Sequence, residues 1–272
     1  MISDIALRYQ LEESIWDTNY FGVRSGKLLL HRPIGEQDMR RISFWAQDFD
    51  FVTILNRGNC ASNNVLLHRS DLCPLFTDMN VTFTRAVGMP ALRLPATEFD
   101  FNVSASVPPD EAIREIAATC FAYSRFYNDP NLPADKARQV YVHWVNSAFN
   151  REDRFFVTAT HNGLTQGFVL FRHDSKGSVI ELIGVNQALK KAGIGAQLVH
   201  QMAKYVESLG VEQVQVGTQL SNRGAMKFYQ RLGFTCEGCT AVFHAWPQIL
   251  PRKDTQKSEP AISATFRDGM GC

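Results

Sequence analysis

The chain has 272 residues, 45% of them hydrophobic and 20% charged, with a formal net charge of +1. That length suggests about two domains with ample core, and the balanced charge gives no electrostatic footing for nucleic acid or an acidic membrane surface. Met1 to Leu11 carry Asp4 and Arg8 and no apolar signal region, and no run approaches a membrane span. A cytoplasmic protein without membrane insertion is therefore expected.

Residues 1–105 predict a small N-terminal α/β domain. Strands are expected at Lys27–Leu30, Phe51–Leu55 and Val81–Val87, with a helix whose apolar face is Met39, Ile42, Ala46 and Phe49. This half holds no catalytic motif, and the dense aromatics between Trp16 and Phe21 read as core. Pro90, Pro95, Pro108 and Pro109 bracket a passage without periodicity, which places a boundary near residue 105.

The second domain, 106–248, opens with a helix from about Asp110 that buries Ile113, Ile116, Ala117, Cys120 and Phe121. The loop after it, from Tyr123 to Pro133, combines proline and Asn/Asp with three aromatics and Arg125. A helix from Ala134 to Phe149 follows, then strands at Phe155–Ala159 and Gln166–His173 joined by the hairpin signal His161-Asn162-Gly163. Val179–Val185 is an apolar run suited to a mostly buried strand. The loop Lys190-Lys191-Ala192-Gly193-Ile194-Gly195 then opens into an amphipathic helix with Ile194, Leu198, Met202, Tyr205 and Leu209 on one face and Gly210 as its stop.

Strand, glycine loop and helix start together make an anion site. Glycines let the backbone approach a ligand, and first-turn amides have no intrahelical partner. Lys190 and Lys191 add positive charge, so a pyrophosphate is a natural guest; a tight turn with solvated lysines is the alternative. A strand at Val211–Gly217 and a short helix capped by Ser221 or Asn222 and ended by Gly233 complete the stretch.

Cys236-x-x-Cys239 has no second cysteine pair and no histidine at metal spacing, so the six cysteines read as free thiols and no metal is expected. Residues 249–272 are polar and contain prolines, and read as a disordered tail.

Asn222, Ala225, Tyr229 and Gly233-Phe234, taken with Lys190, Gly193 and Gly195, resemble the GNAT family of acyl-CoA-dependent N-acyltransferases. The loop departs from that family's pattern in Lys190, where Gln or Arg is usual, and in Gln187, where Pro is common. The resemblance implies an α/β GNAT fold in the C-terminal domain with acetyl-CoA as co-substrate. Trp16-Asp17 with Phe21-Gly22, Ser124-Arg125-Phe126, Asp129-Pro130 with Pro133, and Trp144-Val145-Asn146-Ser147 look like the TDP-fucosamine acetyltransferase branch. That branch implies an acceptor amine on a nucleotide-linked deoxyamino sugar, for surface polysaccharide.

Several roles follow from the resemblance. Tyr229 stands where the family protonates the leaving thiolate, with packing between helix and sheet as its alternative role. Backbone groups at Ile183, Gly184 and Val185, together with the loop Lys190, Lys191, Ala192, Gly193, Ile194, Gly195 and Ala196, would hold the acyl-CoA. Asn222 would contact the pantetheine arm, cap its helix, or both. Glu181 is either a base for the amine or a solvated carboxylate; alternation puts it beside Ile183 and Val185 unless a bulge near Gly184 intervenes. Arg125, Phe126 and Tyr127 are the candidates for substrate binding, Arg125 through its fork to phosphate or else in a structural ion pair. Other amines, or an acyl-CoA-binding module without catalysis, remain alternatives, and an exposed sheet edge would suit a homodimer.

Overall fold

The computed structural model describes residues 7–88, 98–174, 177–190 and 192–248. Lys191 and the tail expected at 249–272 lie outside the described residues. In chain order the elements are β1 (Tyr9–Glu13), α1 (Ile15–Phe21), β2 (Ser25–Leu30), α2 (Glu36–Ala46), β3 (Phe51–Arg57), α3 (Ala61–Arg69), β4 (Leu75–Ala86) and β5 (Asp100–Ala105). Then come α4 (Glu111–Cys120), α5 (Ala134–Ala148), β6 (Phe155–His161), β7 (Leu164–Asp174), β8 (Gly177–Val185), α6 (Ile194–Ser208), β9 (Gln213–Gln219), α7 (Arg223–Arg231) and β10 (Thr235–Ala245).

Local chemistry sets many of these boundaries. The Asp110 carboxylate accepts the Ala112 and Ile113 N–H groups and starts α4. The β6–β7 turn has both Asn162 (φ 50°) and Gly163 (φ 76°) in the left-handed region, as a two-residue hairpin turn of this hand requires. Asn222 caps α7 by accepting the Ala225 N–H at 3.0 Å.

All ten strands form one sheet in the order β1-β2-β3-β10-β4-β9-β8-β7-β6-β5. Two pairs are parallel, β2–β3 and β8–β9, with α2 and α6 as their crossovers. The boundary expected near residue 105 falls at the end of β5, and the sheet is continuous across it. β4 lies between β9 and β10, and β10 lies between β4 and β3. One core packs α6 and α7 on the sheet through Leu198, Met202, Val216 and Tyr229. A second packs α4 and α5 on the opposite face through Ile113, Val140, Phe168 and Leu182. A third, around Leu28, Ile42, Ile54 and Leu67, holds α2 and α3.

The feature that positions the site is a gap in the ladder. β8 and β9 pair only at Ser178–Val214, Val179–Gln215 and Ile180–Val216. Beyond Ile180 the two strands separate, while β8 continues along β7 as far as Val185.

Candidate active site

A cleft of about 420 Å³ passes through the sheet where β8 and β9 part. On one face it is lined by Asn222, Ala225 and Tyr229 of α7, on the other by Cys120, Tyr141 and Trp144 of α4 and α5. The Asn186 N–H donates to Gln166 O across β7, so antiparallel alternation turns the backbone groups of Val185 and Ile183 toward the gap. The Val185 carbonyl there accepts the Cys120 thiol at 3.1 Å. Gly184 sits tight against α4: a Cβ on it would lie 2.6 Å from Ile116 Cγ2.

The loop between β8 and α6 ends in Gly193 (φ 82°), whose left-handed backbone turns the chain into the helix. Ala196 and Gln197 N–H return to Gly193 O, and no side chain caps this end. The Gly193 and Ile194 amides donate to no acceptor among the described residues. Phe228 lies 3.4 Å from where a Gly195 Cβ would be, so α7 closes over the first turn of α6.

Tyr229 is 4% exposed, with its ring between Phe83, Phe228 and Phe234. Burial pushes its hydroxyl pKa well above the usual tyrosine value, so it keeps its proton throughout the neutral range. It thus both packs and faces the cleft. Asn222 likewise does two things: it caps α7 and lines the cleft.

Glu181 departs from the alternation expected of it. Leu170 pairs with Leu182 and Phe171 with Ile180, so Glu181 is itself the extra residue of a β-bulge. It therefore turns with Leu182 to the α4–α5 face, while Ile183 and Val185 pack toward α6 and α7. There its carboxylate meets Arg154 Nε at 3.3 Å and Arg172 Nε at 3.4 Å, and accepts the Trp144 indole N–H at 3.3 Å. It lines the cleft, yet its charge is engaged by two guanidiniums.

The cleft opens into a second, polar cavity of about 530 Å³. Asn80, Tyr141, Trp144 and Gln219 border both spaces. Its floor is the sheet face of β3, β10, β4 and β9, on which Asp78, Asn80 and Thr82 alternate along β4. A bulge at Thr77 aims Asp78 inward. Asp78 takes the Met79 N–H at 2.8 Å. Burial raises its pKa, opposed by that hydrogen bond and by the nearby Arg125 charge. Asn80 has room over β9 because Gly217 lacks a side chain, whose Cβ would lie 3.0 Å from Asn80 Oδ1.

The roof is the 3₁₀ turn Arg125–Asn128, placed by the Ser124 hydroxyl accepting the Phe126 N–H. Arg125 lines the cavity with its guanidinium 4.5 Å from the Phe126 ring centroid, and no carboxylate among the described residues pairs with it. Phe126 is buried at 4% exposure and also lines the cavity. Tyr127 lines neither space; its hydroxyl donates to Phe121 O at 3.1 Å. Asp78 and Asn80 were missed from sequence because β4 begins earlier than the strand expected at Val81–Val87. The signal was the alternation Asp78, Asn80, Thr82 just before and into that run.

Residues 111–234 match the acetyltransferase (GNAT) family. The chain carries a GNAT acetyltransferase domain. This GNAT domain runs from the first residue of α4 to Phe234, just beyond α7, and so contains both walls of the cleft. The chain is 29% identical to the spore coat polysaccharide biosynthesis protein SpsD of Bacillus subtilis over 162 residues, 57% of this chain but only 56% of that protein. It is 23% identical to a dTDP-fucosamine acetyltransferase of Escherichia coli O6:H1 over 237 residues, 85% of this chain and 96% of that one. A GCN5-related N-acetyltransferase from Sphaerobacter thermophilus superposes with a TM-score of 0.59 at 14% identity, covering 88% and 77% of the two chains. The fold is the GNAT fold.

Proposed function

We propose that this protein transfers an acetyl group from acetyl-CoA to the amine of a nucleotide-linked deoxyamino sugar, by direct attack in a ternary complex. The observation that carries this reading is the through-sheet cleft. It reaches Tyr229 from one face and opens on the other into a polar cavity roofed by Arg125, which pairs with no carboxylate among the described residues.

The residues present fit acetyl-CoA. The Gly193 and Ile194 amides, with Lys190 nearby, suit a pyrophosphate at a helix start. The backbone of Ile183 and Val185 and the Asn222 side chain line the route of an extended pantetheine. When bound, the thioester supplies a carbonyl open to an amine and a thiolate leaving group. A backbone amide of β8 facing the gap would take the developing oxyanion. Tyr229 holds the proton that the thiolate needs. With Glu181 held by two arginines, Asp78 in the adjoining cavity is the carboxylate proposed to accept the proton of the amine, through water.

The acceptor cavity holds Asp78 and Glu237 against Arg57 and Arg125. That balance does not favour a cationic peptide or polyamine, and it supports an acceptor carrying its own phosphates. The long alignment with a dTDP-fucosamine acetyltransferase points the same way. No helix among the described residues is long and apolar enough to cross a membrane. The reading takes the substrate, like acetyl-CoA, to be met in the cytoplasm.

The test is free-thiol release from acetyl-CoA with TDP- and UDP-linked amino sugars. Turnover on one of them supports the reading. Silence on all of them, with peptides or polyamines turned over instead, removes it; acetyl-CoA binding without turnover of any amine leaves a binding module.

A further inference from the structure

A third cavity, of about 320 Å³, adjoins the other two on the α5 side. It shares Arg125, Phe126 and Trp144 with the acceptor cavity, and Trp144 and Glu181 with the cleft. We propose that this cavity, bordered by Lys27, Arg125, Arg151 and Arg154, is a subsite for a nucleoside diphosphate. The inference rests on the reading of the acceptor as a sugar nucleotide and adds where that substrate's nucleotide half is held.

Charge is the first argument. Four cations line the space against two carboxylates, Asp17 and Glu181. Both carboxylates are engaged: Asp17 accepts the Ser14 hydroxyl at 2.6 Å, and Glu181 meets Arg154 and Arg172. Arg151 and Arg154 also meet Asp153, each at 2.7 Å, but Asp153 is more than half exposed and does not line the cavity. A guanidinium has five N–H donors, so these pairings leave donors for a phosphate. Among the described residues Lys27 pairs with Glu12 alone, at 3.5 Å and partly exposed.

Order along the path is the second. In a sugar nucleotide the amine, the diphosphate and the nucleoside follow one another. Here Arg125 stands in the wall shared by the acceptor cavity and the basic cavity, and both border the thioester cleft, so an amine in the cleft can have its diphosphate at Arg125 and its nucleoside in the basic cavity. The basic cavity is at the small end of ligand pockets, which run from about 300 to 1,000 Å³. It suits a nucleoside and its phosphates but not the sugar as well. Trp16 lines it, held by rings at 5.4 Å from Tyr20 and His143, and offers an aromatic surface to a base. Location agrees with this. With its pyrophosphate at the start of α6, as proposed, acetyl-CoA would enter from the α6–α7 face, and its own phosphates would lie on the other side of the sheet.

Calorimetry with thymidine diphosphate and uridine diphosphate alone, on the full chain, tests this without any turnover. One of them is expected to bind, with affinity falling as salt rises, and Arg125→Gln and Arg151→Gln are each expected to weaken it about tenfold. Acetyl-CoA affinity should be unchanged in both variants, which also shows that they fold; Lys27→Gln, at a half-buried position, serves where either does not. No binding of either diphosphate at millimolar concentration overturns the subsite, as does equal binding by all three variants. Diphosphate binding lost in the variants, with no sugar nucleotide acetylated, keeps the subsite and removes the acceptor reading. Acetylation with an unchanged KM for the sugar nucleotide in every variant keeps that reading and removes the subsite.

Discussion

Tyr229 and Asp78 stand on opposite faces of the sheet, and in the proposed reaction the first gives a proton and the second receives one. Burial raises both pKa values, but with different consequences. For Tyr229 it secures the protonated form, and Tyr229→Phe should lower kcat by roughly tenfold or more with little change in acetyl-CoA affinity. Unchanged kcat would reduce Tyr229 to packing. For Asp78 the raised pKa moves the acid limb of kcat/KM above the ordinary aspartate value of about 3.9. Activity should climb with pH through that limb, and Asp78→Asn should lower it and erase the limb. Glu181→Gln should instead cost mainly melting temperature, because it leaves Arg154 and Arg172 without their shared carboxylate. Tyr229 was legible in sequence because its spacing to Asn222 and Gly233 is local. The side on which Glu181 lies was not legible, since a bulge depends on how β7 pairs with β8, and that is a contact between strands.

At the scale of elements, the separation of β8 from β9 makes the cleft, and Gly184 lets β8 pack closely on α4 beside it. Gly184→Ala would put a methyl 2.6 Å from Ile116 Cγ2, so the Ile116 side chain or α4 itself must give way. Overpacking of this kind costs about 1–3 kcal/mol. The expected result is a lower melting temperature with weakened acetyl-CoA binding, read by thermal denaturation and calorimetry; an unchanged affinity would show that the cleft does not depend on this contact. The helices α4, α5, α6 and α7 could be read from their apolar faces and caps. α3 could not, because its sequence is polar and its order comes from tertiary amide bonds. Asn63 accepts Ile34 N–H and donates to Arg32 O and Asn56 Oδ1, and Asn56 donates to Asn64. No periodicity announces such a network.

For the whole molecule, β10 joins the two halves of the sequence by pairing with both β3 and β4. A chain of residues 106–248 alone would lack β3 and β4 and leave β9 and β10 with open edges, so it is expected to aggregate rather than fold. The join is pinned by a buried pair, in which His244 Nδ1 lies 2.8 Å from Asp129 Oδ2 and Trp246 Nε1–H donates to the same oxygen at 3.0 Å. Asp129 follows the turn that carries Arg125, so this pair ties the roof of the polar cavity to the central sheet. Burial lowers the His244 pKa and outweighs the pull of Asp129; burial also works to raise the Asp129 pKa, but the bonds from His244, Asn131 N–H and Trp246 hold it below the usual value. Both shifts have the same sign of consequence. Below about pH 6.5 the unfolded chain takes up a proton on His244 that the native protein refuses, so stability falls as pH falls. The stability contributed by Asp129 is present above its unfolded value of about 3.9 and is lost as pH drops through its depressed native value. Melting temperature should therefore decline from about pH 7 toward pH 5, and His244→Gln should flatten that decline even though the variant is less stable at neutral pH. A variant that kept the wild-type slope would assign the acid sensitivity to the more exposed histidines and leave the His244–Asp129 pair a tie without a part in it.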